Sequence, residues 1–179
     1  MRIQQISVIG AGYVGLSNAV LLAQAQLNTQ VTLFDINSAK ITQLQNQQSP
    51  IQDADIARFL AEQSLNLTAV ADNSGIFANA DMVIIATPTN YDIATGKFDT
   101  TSVAQSIQAV RKQHPSVPIV IKSTVPIGFT AQMQAPFTRA IRIYNSCATI
   151  DNPPRWEIRP CDILHQCLTS DMGIIGIGK

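Results

Sequence analysis

With 179 residues, 46% of them hydrophobic, the chain is long enough for one well-buried domain that hides roughly 70% of its unfolded surface, and too short for a second of full size. Twelve Lys and Arg balance twelve Asp and Glu, so there is no basic field for nucleic acid or a membrane surface, and the expected partner is a small molecule. Gln4 and Gln5 interrupt the first apolar stretch, which therefore does not read as a signal peptide, and three cysteines in such a chain point to free thiols in the cytoplasm.

Residues 3–9 form a short apolar run, as expected for a strand buried on both faces in a parallel sheet. Gly10-Ala11-Gly12-Tyr13-Val14-Gly15 follows at once. In that string Gly10 permits a sharp turn, Gly12 leaves no Cβ between the backbone and a pyrophosphate, and Gly15 lets the next helix pack closely on the sheet. The helix predicted over 14–27 is apolar on most of its surface, is too short to span a bilayer, and aims its positive dipole end at an anion. A second strand over 30–34 ends in Asp35, twenty positions after Gly15. A carboxylate there accepts hydrogen bonds from both hydroxyls of an adenosine ribose and repels the 2′-phosphate that distinguishes NADP from NAD. The spacing therefore predicts NAD as cofactor, with Gly10, Gly12, Tyr13, Val14, Gly15 and Asp35 as its candidate residues.

Ser38 is the expected cap of a helix to Gln45, with Lys40 one turn inside it; as a residue type Lys40 is a solvated helix lysine. Residues 45–50 read as a polar loop, and Ile56, Phe59 and Leu60 as a helix ending near Glu62. Leu65, Leu67 and Ala69 make a weak third strand. Residues 72–79 suggest a short helix, and 82–86 a fourth strand that ends in Thr87-Pro88-Thr89. A long connecting loop is expected over 90–99, then a helix capped by Thr100 or Thr101 and running to about Gln113, with His114 as a helix-terminal residue. A fifth strand follows over 119–121. Residues 141–144 are the candidate sixth, edge strand. The reading is an α/β, Rossmann-type doubly wound parallel sheet of order 3-2-1-4-5-6, a domain over 1–145, and an irregular tail over 146–179.

Four strings in register are specific enough to name a family. Gly10-Ala11-Gly12-Tyr13-Val14-Gly15-Leu16-Ser17, Asp35-Ile36 with Lys40, Ala86-Thr87-Pro88-Thr89-Asn90-Tyr91, and Lys122-Ser123-Thr124-Val125-Pro126-Ile127-Gly128-Phe129-Thr130 together resemble the N-terminal NAD-binding domain of the UDP-glucose 6-dehydrogenase family, over about residues 1–134. The resemblance implies oxidation of the C6 alcohol of UDP-glucose to a carboxylate with two NAD, in two successive hydride transfers. It makes Val14, Asp35, Lys40 and Thr89 cofactor contacts. It places Thr124 beside both cofactor and chemistry, where its hydroxyl supports an oxyanion or holds a water without being the nucleophile.

Beyond about Ala135 these strings cease. The family's glutamate segment, its central helix and its second domain with the catalytic cysteine and lysine are not recognisable. All three cysteines, the single tryptophan and four of nine prolines lie there instead. A frameshift or premature stop is the favoured origin, ahead of a fusion or a naturally short form. Cys147, Cys161 and Cys167 read as idle or buried thiols, and His165 with Cys167 is too few ligands for a structural zinc site. The expectation is a chain that binds NAD but does not turn over UDP-glucose unless the missing half is supplied, and that self-associates through exposed apolar surface. Two other readings stand beside it: a related enzyme acting on UDP-N-acetylmannosamine or GDP-mannose, and a non-catalytic module that binds NAD or a partner subunit.

Overall fold

The computed structural model describes residues 3–62, 64–94, 96–134 and 143–145. Its main sheet has six strands: β1 (Gln5–Ile9), β2 (Gln30–Phe34), β3 (Leu67–Val70), β4 (Met82–Ile85), β7 (Ile119–Ile121) and β8 (Ile143–Asn145). Their order is β3-β2-β1-β4-β7-β8 and every pairing is parallel. The doubly wound arrangement expected from the sequence is therefore present, and the sixth strand sits at the edge assigned to it. Two further strands, β5 (Tyr91–Asp92) and β6 (Lys97–Phe98), form a separate antiparallel hairpin.

Alternation along the strands decides which layer each side chain fills. Ile6 and Val8 of β1 and Met82 and Ile84 of β4 face one layer, where Leu16, Ala19 and Val20 of α1 (Tyr13–Leu22) meet Ile41 of α2 (Ser38–Gln45) and Leu60 of α3 (Ala54–Glu62). Ile9, Val83, Ile85 and Ile119 face the other, against Val103, Ile107 and Val110 of α4 (Thr101–Gln113) and Phe129 of α5 (Phe129–Gln134). Each fully buried aliphatic side chain contributes about 1.5–3 kcal/mol, so packing on both faces is what holds strands of only three to five residues in place. Ser7 is the polar intruder on β1. Its hydroxyl donates to the Ile76 carbonyl at 2.9 Å, which ties the second layer's turn to the central strand.

Several boundaries differ from the expectation, each for a local reason. Helix α1 stops at Leu22 because the Ala23 carbonyl accepts the Asn66 N–H at 2.7 Å and Gln24 bridges to Leu65; a short 3-10 turn (Ala25–Leu27) follows. The cap of α2 is Asn37, not Ser38: its side-chain oxygen accepts the N–H groups of Ala39 and Lys40. Residues 72–79 are a succession of turns rather than a helix. There the Asp72 carboxylate takes both the N–H and the hydroxyl of Ser74, and Gln113 of α4 binds Phe77 N–H and the Asn73 carbonyl. The loop predicted over 90–99 contains the β5–β6 hairpin, and α5 had no counterpart in the sequence reading. His114 does terminate α4, and Arg111 of its last turn is buried, donating to the carbonyls of Pro115 at 3.0 Å and Val117 at 2.7 Å.

Thr100 precedes helix α4 and makes no side-chain cap; Asp99 serves instead, accepting the Thr101 N–H at 2.9 Å. The hydroxyl and, second, the N–H of Thr101 hold the Asp99 carboxyl below the usual carboxylate range. A depressed value in the folded state means that the stabilisation is complete above the ordinary carboxyl value of 3.8 and is lost as pH falls through the folded one. The difference in thermal midpoint between the native chain and Asp99→Ala is accordingly expected to shrink as pH is lowered below 3.8, and to stay constant above it.

The predicted tail over 146–179, with its three cysteines, Trp156 and His165, lies outside the described residues. Among the described residues no helix is long and apolar enough to cross a membrane, and no cluster of His, Cys, Asp and Glu has the makings of a metal site.

Candidate cofactor site

The carboxyl ends of β1, β2, β4 and β7 meet at the point where the strand order reverses, between β1 and β4. In open α/β sheets that crevice is where ligands bind. An open cleft of about 320 Å3 lies there. One side is built by Gly10, Gly12, Tyr13 and Val14 with Asp35 and Lys40; the other is built by residues 86–89 and 122–124. Eight of the nine residues singled out from the sequence line this cleft: Gly10, Gly12, Tyr13, Val14, Asp35, Lys40, Thr89 and Thr124. The ninth, Gly15, lies behind it as packing.

The glycines differ in what constrains them. Gly10 has φ +105°, and a Cβ there would stand 2.5 Å from the Ala86 carbonyl oxygen, so β1 and the exit of β4 are in backbone contact. Gly15 is tighter still: a Cβ would fall 1.8 Å from the Gly10 carbonyl oxygen. Gly12 is the opposite case, since a Cβ there meets nothing within 4 Å. It is also the residue before α1, where it brings no side chain to cap the helix amides. Those amides and the helix dipole thus face the cleft with no Cβ in the way, which is the cradle a pyrophosphate requires.

Asp35 is held as firmly as it is placed. One carboxylate oxygen accepts the Ala11 N–H at 2.7 Å and the other the Asn37 N–H at 2.8 Å, and Lys40 lies 3.8 Å away on α2. Each oxygen keeps a further lone pair, so the group can still accept from two ligand hydroxyls. Across the cleft, Thr89 and Thr124 follow β4 and β7. The turn before Thr89 is tied down by hydroxyls: Ser123 donates to the Thr87 carbonyl at 2.7 Å, and Ser102 donates to the Pro88 carbonyl at 2.8 Å. Lys122 and Ser123 also line the cleft. The sequence reading did not select them as site residues, although polar groups at the exit of a strand were the available signal. Ser102, twenty-one residues upstream on α4, had no signal at all.

This sheet order, with a glycine turn answered by an acidic residue at the end of β2, is that of a Rossmann-type nucleotide-binding domain. Comparison with known proteins specifies it further. The sequence model described as "UDP-glucose/GDP-mannose dehydrogenase family, NAD binding domain" matches residues 4–179. The chain belongs to the UDP-glucose/GDP-mannose dehydrogenase family and comprises its NAD-binding domain. It is 41% identical over 133 residues to a UDP-glucose 6-dehydrogenase of Streptococcus pneumoniae, covering 74% of this chain and 33% of that protein. To the UDP-glucose 6-dehydrogenase of Campylobacter jejuni it is 36% identical over 141 residues, covering 79% of this chain and 36% of the relative. The chain thus spans about a third of the length of the curated relatives it matches.

Among solved structures, a UDP-glucose dehydrogenase from Pyrobaculum islandicum aligns with TM-score 0.66 and 24% identity over 80% of this chain and 35% of that one. A UDP-D-ManNAc dehydrogenase from Pyrococcus horikoshii aligns with TM-score 0.68 and 23% identity over 79% and 35%. Both likenesses show the fold alone. The four strings resemble the family over about residues 1–134, the Streptococcus pneumoniae relative aligns over 133 residues, and the family model continues through residue 179.

Proposed function

We propose that this chain binds NAD in the cleft and forms the cofactor-holding part of a UDP-glucose 6-dehydrogenase, without sufficing for turnover by itself. The observation that carries the reading is Asp35, fixed at the end of β2 beside an uncapped α1. In this reading the first-turn amides near Gly12, Tyr13 and Val14 take the pyrophosphate, while Asp35 accepts the adenosine ribose hydroxyls and Lys40 keeps the carboxylate oriented from 3.8 Å. A 2′-phosphate would meet the negative charge of Asp35, which favours NAD over NADP. When bound, NAD supplies the hydride acceptor. Thr89 and Thr124 then stand on the side of the reacting ring, and the Thr124 hydroxyl orients a water or donates to a developing oxyanion.

The sugar is proposed from the names of the two bacterial relatives, and the cytoplasm is the location that goes with the reading. An enzyme for UDP-N-acetylmannosamine or GDP-mannose is the second reading, because the family whose model matches takes its name from more than one nucleotide sugar. Equilibrium titration of the purified chain separates these claims. Saturable NAD binding is expected, with NADP weaker by at least about tenfold, as one close repulsive charge pair near a protein surface costs several kcal/mol. No UDP-glucose-dependent NADH should form. Robust turnover by the chain alone, or equal affinity for the two dinucleotides, would overturn the corresponding part.

A further inference from the structure

The two walls of the cleft are built differently. On the Asp35 side the chain is held by its own backbone amides, whereas on the other side the turn Thr87-Pro88-Thr89 depends on serine hydroxyls from two distant elements. Ser123, only 6% exposed, reaches from the exit of β7 to the Thr87 carbonyl at 2.7 Å. Ser102, in the first turn of α4, donates to the Pro88 carbonyl at 2.8 Å, and its oxygen lies 3.1 Å from the Thr87 hydroxyl. Pro88 has no N–H of its own with which to pair. The turn has left the sheet, since β4 ends at Ile85. Two consecutive carbonyls of the segment that carries Thr89 are thus fixed from outside it.

We infer that Ser102 and Ser123 are positioning residues for the nicotinamide half of the dinucleotide and not for its adenosine half. The inference rests on the NAD reading above and adds a division of labour to it. A dinucleotide lies across the crevice with one nucleotide over each half of the sheet. Asp35 and Lys40 occupy the β2 side, so the nucleotide that passes Thr87, Thr89 and Thr124 is the second one. Loss of either serine hydroxyl frees a carbonyl and lets the turn shift, while Asp35, Gly12 and the α1 amides keep their places. The affected interaction is therefore the one made by the far end of the ligand.

The test compares NAD with ADP, which carries the adenosine ribose and both phosphates of the diphosphate but no nicotinamide. Wild type, Ser123→Ala, Ser102→Ala and Ser102→Thr are titrated with each, and thermal unfolding is recorded in parallel. In both alanine variants NAD should weaken roughly five- to tenfold, the scale of one hydrogen bond, with ADP unchanged within about twofold. Ser102→Thr, which keeps the hydroxyl, should restore NAD affinity. Equal weakening of NAD and ADP, or a lowered unfolding midpoint with unaltered NAD affinity, would make the serines merely structural and overturn the inference. Ser102 is partly exposed, so its variants remain informative if Ser123→Ala fails to fold. A wild-type chain that binds neither ligand overturns the NAD reading itself, an outcome separate from one in which wild type binds both and the variants match it.

Discussion

Gly15→Ala is expected to abolish the stable fold, or to lower its stability by more than about 3 kcal/mol, in denaturant unfolding followed by circular dichroism. The added methyl would sit 1.8 Å from the Gly10 carbonyl oxygen and 3.3 Å from the Ala86 Cβ. Neither neighbour can yield cheaply. Gly10 donates its N–H to the Phe34 carbonyl at 2.8 Å and already touches the Ala86 backbone, so its carbonyl is fixed by both adjacent strands. Helix α1 cannot lift away without exposing Leu16, Ala19 and Val20, all buried. Set against a total stability of roughly 5–15 kcal/mol for an ordinary domain, a loss on this scale is a large share. Gly12→Ala is the control. Its methyl enters open space, so the fold should survive with little change, while NAD affinity falls by at least about tenfold because the methyl stands where the pyrophosphate must approach. Wild-type stability for Gly15→Ala, or full NAD affinity for Gly12→Ala, would refute this assignment of roles.

Asp35→Ala should lose both the cofactor and part of the fold's stability. Ala11 is completely buried, and its N–H has the Asp35 carboxylate as acceptor at 2.7 Å. A hydrogen bond to a charged group is worth about 1.5–3 kcal/mol, and an orphaned buried amide costs about as much, so unfolding should shift by about 2–3 kcal/mol. NAD affinity should drop by about a hundredfold or more, through loss of the ribose acceptor and loosening of the glycine turn together. Asp35→Asn separates the two effects. Its one carbonyl oxygen can keep the Ala11 bond, so stability should fall less than in Asp35→Ala, while removal of the charge narrows the difference between NAD and NADP. An Asp35→Ala chain with native stability and native NAD affinity would contradict the geometry directly. On the proposed reading, cofactor preference and glycine-turn integrity are carried by one side chain, and altering the preference alone requires a replacement that still accepts the Ala11 N–H.

What the sequence revealed follows from the range of the interactions involved. Strands β2 and β7 were legible to the residue, because an apolar run bounded by polar and turn residues is a local signal, and α2 was legible but for its cap. The helix expected over 72–79 was not, since Gln113 decides that segment's backbone partners from α4, some forty positions away. The β5–β6 hairpin has strands of two residues each, too short for alternation to register, and the Tyr91–Phe98 ring contact at 5.0 Å that braces it joins residues across a loop. In the candidate site, Gly10, Gly12, Gly15 and Asp35 were readable because the motif's spacing is itself the constraint. Ser102 and Ser123 were not, for a lone serine carries no pattern until the fold brings it to a carbonyl. The four strings likewise marked the family, because each is a run of consecutive residues.

The central position of β1 also shapes how the chain must be made. It is made before the other strands of this sheet, yet one of its two partners, β4, begins roughly seventy residues after it ends, which at 5–20 residues per second means a delay of roughly 4–14 s. During that interval β1 can pair with β2, and β2 with β3, but the edge that will receive β4 presents the unpaired backbone groups of a short apolar strand. The nascent chain therefore passes through a half-sheet whose open side lies at its future centre, and the Asp81 carboxylate, which takes the Gln4 and Gln5 N–H groups at 2.8 and 3.0 Å, arrives just ahead of β4 to set the register of the closing strand.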